Sequence, residues 1–273
     1  NLNTLLKEYP LSDYSSEKDW LFKVTPVLGK KIMTNINDST VVTSTALFSL
    51  AILNSDGFSI SKRELVSRIE LLKSLLEEDK YSPKTLVCEK TGEEIIDQMR
   101  KLGFLSKEDI NDRISLTNLE AAKLSFYRNN ISHLLIFESL ICGFFQYQKE
   151  IIKEDLLQSI KMIYPFLKEE FFLKWDEADL DQIINLKLNK LINKNLVLED
   201  SNVFKRPDFK SKDFYETQSL GKLVQPTIDR FYVLISQLWK NSGEHISKNE
   251  LERNSLEILK NLEKTHARLT PEF

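Results

Sequence analysis

The sequence predicts a mainly α protein of tandem three-helix modules with short β-hairpins, winged-helix-like in plan, the last module truncated. Three observations predict it. Glycine and proline are sparse, seven of each in 273 residues, so long helices with short connections are favoured over a many-stranded sheet. A helix-opening motif with an apolar stripe recurs along the chain. Each copy follows an apolar helix, and the first two precede a further helix and alternating apolar residues around a polar turn.

The recurrence begins at Ile60-Ser61-Lys62-Arg63-Glu64-Leu65. Ser61 suits an N-cap, and Glu64 three residues on completes a capping box. Leu65, Ile69, Leu72 and Leu76 then share one helical face. Glu64 with Arg68, and Glu70 with Lys73, decorate the other. Leu156, Ile160, Ile163 and Leu167 repeat the stripe 91 positions later, after Lys153-Glu154-Asp155. Ile246-Ser247-Lys248-Asn249-Glu250-Leu251 opens a third copy, and Leu251, Ile258 and Leu262 continue it, with Ser255 a lapse. The interval is roughly 90–95 residues, too long for a solenoid and suited to small modules.

The upstream apolar helices are Thr45 to Leu53, His133 to Tyr147 and Ile228 to Trp239. Third helices are expected after Gly92 and Leu180. Hairpins follow at Phe104-Leu105 with Ile114 and Leu116, and at Leu196 to Leu198 with Val203-Phe204. Asp112 and Asp200-Ser201 supply turn chemistry. The division is therefore residues 1–33 as a linker or docking segment, 34–120 as module 1, 121–208 as module 2, and 209–273 as a connection and truncated module 3. Pro165 is expected to kink or break its helix near Tyr164. Asn1 at the start and Pro271-Glu272-Phe273 at the end read as cuts from something longer.

Composition restricts function. The hydrophobic fraction is 41%, the charged fraction 29% and the net charge −3, which describe a globular chain without a global footprint for nucleic acid. Cys88 and Cys142 have no metal-ligand spacing and read as reduced thiols. The apolar run Ile131 to Phe145 is too short for a bilayer and reads as a buried helix. No metal or cofactor is expected. Asp176-Glu177-Ala178-Asp179 and Glu77-Glu78-Asp79 read as solvated acidic turns.

No serine elbow, phosphate loop or dinucleotide fingerprint occurs. His133 with Glu138, and His245 with Glu250, have the His-x4-acid spacing of an acyl-transfer acid-base pair. On a helix, however, such residues diverge by about 140°. Chance spacing is the preferred reading, with His133 as a true acid-base residue the alternative. Lys30-Lys31, Lys205-Arg206 and Lys210 to Lys212 are small basic clusters. A tandem winged-helix binder of nucleic acid or of a protein remains open, although the candidate recognition helices, Glu93 to Leu102 and Leu180 to Asn193, are only mildly basic. Tyr127, Arg128, Asn129 and Asn130 form the most distinctive polar run, placed to cap the following apolar helix and to pair with a carboxylate. A ligand or partner contact is the other reading of this run.

Phe126-Tyr127-Arg128-Asn129-Asn130-Ile131-Ser132-His133-Leu134 resembles a signature in the C-terminal region of bacterial membrane-bound glycerol-3-phosphate acyltransferases. Val42-Thr43-Ser44-Thr45-Ala46-Leu47, Tyr81-Ser82-Pro83, the run Ile163 to Leu173, and Pro271-Glu272-Phe273 are similar to further family segments, so the resemblance covers about residue 40 to the end. Ser44 and Glu138 depart from it, standing where the family commonly has Pro. The resemblance implies a helical scaffold for an upstream catalytic domain that holds the His-x4-Asp motif. That domain would transfer an acyl group from acyl carrier protein or coenzyme A to the first hydroxyl of glycerol 3-phosphate. It implies no catalytic residue here. It also implies a peripheral site on the cytoplasmic side of the bacterial inner membrane, and no nucleic acid.

Overall fold

The computed structural model describes residues 2–105, 112–242 and 246–265. The protein is mainly α, and short strands tie its helices together. The chain opens with α1 (Leu2–Glu8) and α2 (Glu17–Asp38). Ser16 caps α2 by accepting the Asp19 N–H at 3.1 Å, and Glu17 and Asp19 suit its positive end. The segment expected as a linker or docking segment, residues 1–33, thus contains α1 and most of α2. Its periodicity is weak because many apolar residues of α2 face outward rather than into a core.

β1 (Val41–Val42) pairs in parallel with β3 (Leu86–Val87). Between them lie α3 (Ser44–Leu53), β2 (Ser59–Ser61) and α4 (Lys62–Glu78). α5 (Gly92–Lys101), β4 (Arg113–Ser115) and α6 (Asn118–Ser132) complete the first unit. α3 is apolar on nearly every side and is buried on nearly every side, so it forms the centre of the unit. Leu65, Ile69, Leu72 and Leu76 of α4 are all buried, as the stripe predicts.

The predicted capping box at Ser61 is half formed. Ser61 accepts the Glu64 N–H at 3.2 Å, but the Glu64 carboxylate turns to Arg68 at 3.3 Å. Complete boxes occur instead at Thr91 with Glu94 and at Thr117 with Glu120. The first hairpin is also rearranged. Ile114 pairs with Ile60 in an antiparallel β2–β4 ladder, and Phe104-Leu105 is not a strand. Ile60 and Ile114 stand opposite each other and are both buried, so the pair closes over the core.

The second unit repeats the plan with α7 (Ile136–Phe144), β5 (Glu150–Ile152), α8 (Lys153–Phe171) and α9 (Leu180–Asn193). It ends in β6 (Leu198–Asp200), β7 (Val203–Lys205) and α10 (Lys212–Gly221). The hairpin β6–β7 turns through Ser201 at a φ of 60°, and β5 joins the other edge of β7. α8 continues through Pro165, where a kink or a break was expected, so the helix does not break there. Leu156, Ile160, Tyr164 and Leu167 are fully buried along it, and this packing outweighs the one backbone bond that proline lacks.

α6 packs on α3, and α10 packs on α7, in matching positions. The expected module boundary at 120/121 therefore falls inside a helix that belongs to the first unit. The run Ile131 to Phe145 is not one helix. It is the end of α6, a 3-10 turn at His133–Leu135, and α7. α11 (Gln225–Lys240) and α12 (Lys248–Thr265) repeat the apolar helix and capped helix, with Ser247 accepting the Glu250 N–H at 3.2 Å. No third helix follows them among the described residues. A single hydrophobic core runs from Val42 to Val224 through both complete units.

Candidate functional site

The Tyr127 to Asn130 run lies inside α6, in its last two turns, rather than at the start of the apolar helix α7. The residue at the N-cap of α7 is Leu135, which makes no side-chain cap bond. Arg128 is buried and donates from Nε and Nη2 to Asn129 Oδ1 at 3.3 and 3.2 Å. Tyr127 meets Phe104 and Phe126 edge-on at 5.9 and 5.5 Å. Asn129 and Asn130 are exposed.

His133 is buried where the first unit meets the second. Its Nε2 lies 3.3 Å from Thr40 Oγ1, and its ring meets Tyr81 edge-on at 5.2 Å. Burial pushes its pKa down to about 4, against a hydrogen bond that the ring donates to the Asn37 backbone carbonyl and the charge of Asp38. The ring is therefore neutral near pH 7. Tyr81 in turn contacts Trp175 at 4.8 Å, and Trp175 contacts Phe137 at 5.3 Å. Lys174 places its ammonium 4.3 Å from the Tyr81 ring centre and 3.3 Å from Asp38 Oδ1. The Tyr164 hydroxyl donates to the Trp175 carbonyl at 2.7 Å.

Glu138 points into a different cluster, so the His-x4-Glu pair does not assemble. Lys190 of α9 donates to its Oε1 at 2.5 Å, and Lys187 lies 3.4 Å away. Lys187 also pairs with Asp79 at the end of α4, and Lys190 donates to the Leu75 carbonyl at 2.9 Å. Burial opposes charge on Lys187, but Glu138 and Asp79 outweigh it and raise its pKa. Lys190 is lowered, first by burial and then by its neighbour Lys187. Two carboxylates thus balance two ammonium groups inside the protein. Lys194 extends the contact by donating to Ser74 at 2.6 Å and to Glu78 at 2.5 Å. His245 lies outside the described residues, and Glu250 sits in the first turn of α12 with its N–H on Ser247.

This geometry bears on nucleic-acid recognition. α9 occupies the recognition-helix position of the second unit, yet its lysines are engaged with α4 and α7. A phosphate backbone needs such cations free at the surface.

A third joint ties α10 to α4. Arg68 donates to the Ala51 carbonyl at 3.1 Å and to Ser55 Oγ at 2.8 Å, and its Nε faces Glu216 at 3.7 Å. Burial raises the Glu216 pKa, while Arg68 opposes the rise. Beside this joint lies an open cleft of about 350 Å³. Glu70, Asp213 and Glu216 face Lys194 and Lys212 across it, and neither histidine nor cysteine lines it. Among the described residues, no group of three or more His, Cys, Asp or Glu is placed to hold a metal ion, and no helix is long and apolar enough to cross a membrane. The arrangement binds units together.

Sequence reasoning missed Lys187 and Lys190, and it read Asp79 as part of a solvated acidic turn, whereas Asp79 pairs with the buried Lys187. The signal was present: Lys187 and Lys190 interrupt the apolar positions Ile184, Leu188 and Leu191 and share their side of α9.

The whole chain, residues 1–273, matches the family model described as the glycerol-3-phosphate acyltransferase C-terminal region. A glycerol-3-phosphate acyltransferase of Pseudomonas fluorescens (strain Pf0-1) is 28% identical over 256 residues, covering 93% of this chain and 31% of that protein. One from Pseudomonas entomophila (strain L48) is 29% identical over 257 residues, with the same shares. One from Pseudomonas aeruginosa (strain LESB58) is 28% identical over 257 residues. The chain therefore spans about a third (31%) of the length of these relatives. With the family model matching from end to end, this chain belongs to the family of glycerol-3-phosphate acyltransferase C-terminal regions.

Proposed function

We propose that this chain is the helical scaffold of a glycerol-3-phosphate acyltransferase. The longer protein would move an acyl group from acyl carrier protein or coenzyme A to the first hydroxyl of glycerol 3-phosphate. The observation that carries this reading is the family match over residues 1–273 together with the one-third share of each relative. The interior supports it. Its buried titratable groups are engaged in joints between helices, as a rigid support requires, and His133 is paired with Thr40 rather than with a carboxylate.

The catalytic groups then reside in the part of the protein outside this chain, and that part is its partner. Arg128 and His133 act structurally. Tyr127, Asn129 and Asn130 form a small interaction patch. Attachment to the cytoplasmic face of the bacterial inner membrane is peripheral.

The test is acyl transfer to glycerol 3-phosphate from both donors, measured for the longer protein and for the 273-residue chain. Activity is expected only in the longer protein, and turnover by the chain alone overturns the scaffold reading. The tandem nucleic-acid reading is disfavoured by the buried lysines of α9. No shift of duplex DNA is expected even at low salt, where phosphate contacts are strongest.

A further inference from the structure

α2 is held on one side and bare on the other. On the held side, Asn37 donates to the Phe171 carbonyl at 2.7 Å, and Lys30 pairs with Glu169 at 2.5 Å, which fixes α2 against the end of α8. The bare side presents Phe22, Ile32, Met33 and Ile36, with Phe22 77% and Ile36 55% exposed. Phe22, Gly29 and Ile36 stand seven residues apart. Seven residues fall within about 20° of two full turns, so the three lie in one line along the helix.

Gly29 is the informative member. Glycine inside a helix is less stable than alanine, so it needs a reason. The described residues offer no packing reason, because a Cβ built at Gly29 meets nothing among them within 4 Å. A residue with no side chain, centred in an exposed apolar line, is what a second backbone approaching closely requires. A lipid surface imposes no such need.

We propose that the α2 face of Phe22, Gly29, Ile32 and Ile36 is the docking surface for the remainder of the acyltransferase, which lays a helix across it with closest approach at Gly29. The occupant follows from length. The relatives carry about two-thirds of their chain outside the matched region (31% is matched), and that region is described as C-terminal, so the rest precedes it. α2 also lies on the N-terminal side of the matched region. The proposal rests on the scaffold reading and names the face on which it operates.

The test is a photo-crosslinking amino acid at Phe22 in the longer protein, in membranes, with acyl transfer to glycerol 3-phosphate measured on the same preparation. The expected product joins position 22 to a peptide preceding residue 1 of the same polypeptide. Crosslinks to lipid alone, to residues 1–273 of a second copy, or to nothing overturn the proposal. If activity is present when that happens, the face fails and the acyltransferase reading stands. If wild-type protein has no activity, that reading fails whatever the crosslink shows. Gly29→Leu separates docking from folding. It is expected to leave the 273-residue chain melting at or above the wild-type temperature while abolishing the crosslink; an undiminished crosslink overturns the close approach at Gly29.

Discussion

Lys190 on α9 donates to Glu138 on α7 at 2.5 Å, and both side chains are enclosed. The same ammonium reaches the Leu75 carbonyl of α4. One lysine therefore fastens a helix of the first unit to two helices of the second. Removing Glu138 leaves Lys187 and Lys190 facing each other with only Asp79 nearby. We expect Glu138→Leu to destabilise the protein by on the order of 3–5 kcal/mol. The double variant Glu138→Leu with Lys190→Met should recover most of that, because the orphaned charge is gone. Urea unfolding checks both, with an unchanged slope required for the comparison.

His133 makes stability depend on pH, in a definite direction. Its folded pKa is held at about 4, below the usual 6.5, because burial disfavours the charged ring. A depressed pKa contributes stability that is present above about 6.5 and lost as pH falls toward 4. The loss should reach roughly 2 kcal/mol by pH 5 and roughly 3 kcal/mol near pH 4. His133→Gln should flatten this part of the profile. Titration of the imidazole protons by NMR should show a midpoint near 4, and a midpoint near 6.5 contradicts the buried neutral ring.

What could be read from the sequence follows the physics of each element. The stripe Leu65, Ile69, Leu72 and Leu76 gave α4 away, because one face is buried and the other wet. The hairpin at Leu198 to Lys205 was legible from alternation around Ser201. α2 was not, because it exposes Phe22, Ile32 and Ile36, which inverts the expected pattern. α6 was hidden by Arg128, a charge in the middle of the buried face formed by Ala121, Leu124 and Ile131. The buried lysines of α9 left a trace in their place among Ile184, Leu188 and Leu191, but their partners were illegible. A lysine is enclosed only when distant carboxylates meet it, and Asp79 and Glu138 are more than forty positions away in the chain.

Asn37 holds α2 to the end of α8 through the Phe171 carbonyl. Phe172 leaves α8 in the left-handed conformation at a φ of 51°, which turns that carbonyl toward the amide. Asn37→Ala should cost about 1 kcal/mol. The cost should be local. Amide exchange is expected to quicken across residues 17–38 and to stay unchanged in α7, which lies in the buried core. Uniform quickening across both helices would show that α2 unfolds only with the whole.

Gly221 and Gly29 should respond oppositely to the same substitution. A Cβ at Gly221 would lie 2.9 Å from the backbone carbonyl of Cys142 and 2.7 Å from the Gln146 amide. The amide can move, but the backbone of α7 cannot. The Gly221 carbonyl also accepts from Ser139 Oγ at 3.4 Å, and the Val224 N–H donates to that same hydroxyl at 3.0 Å. Gly221→Ala therefore pushes α10 off α7 and should destabilise by about 1–3 kcal/mol. At Gly29 the space is open, so Gly29→Ala should stabilise the isolated chain by roughly 0.5–1 kcal/mol through better helix propensity. Thermal melts of the two variants check the contrast directly. A destabilising Gly29→Ala would mean that the chain itself requires the glycine, and no partner backbone would then be needed to explain it.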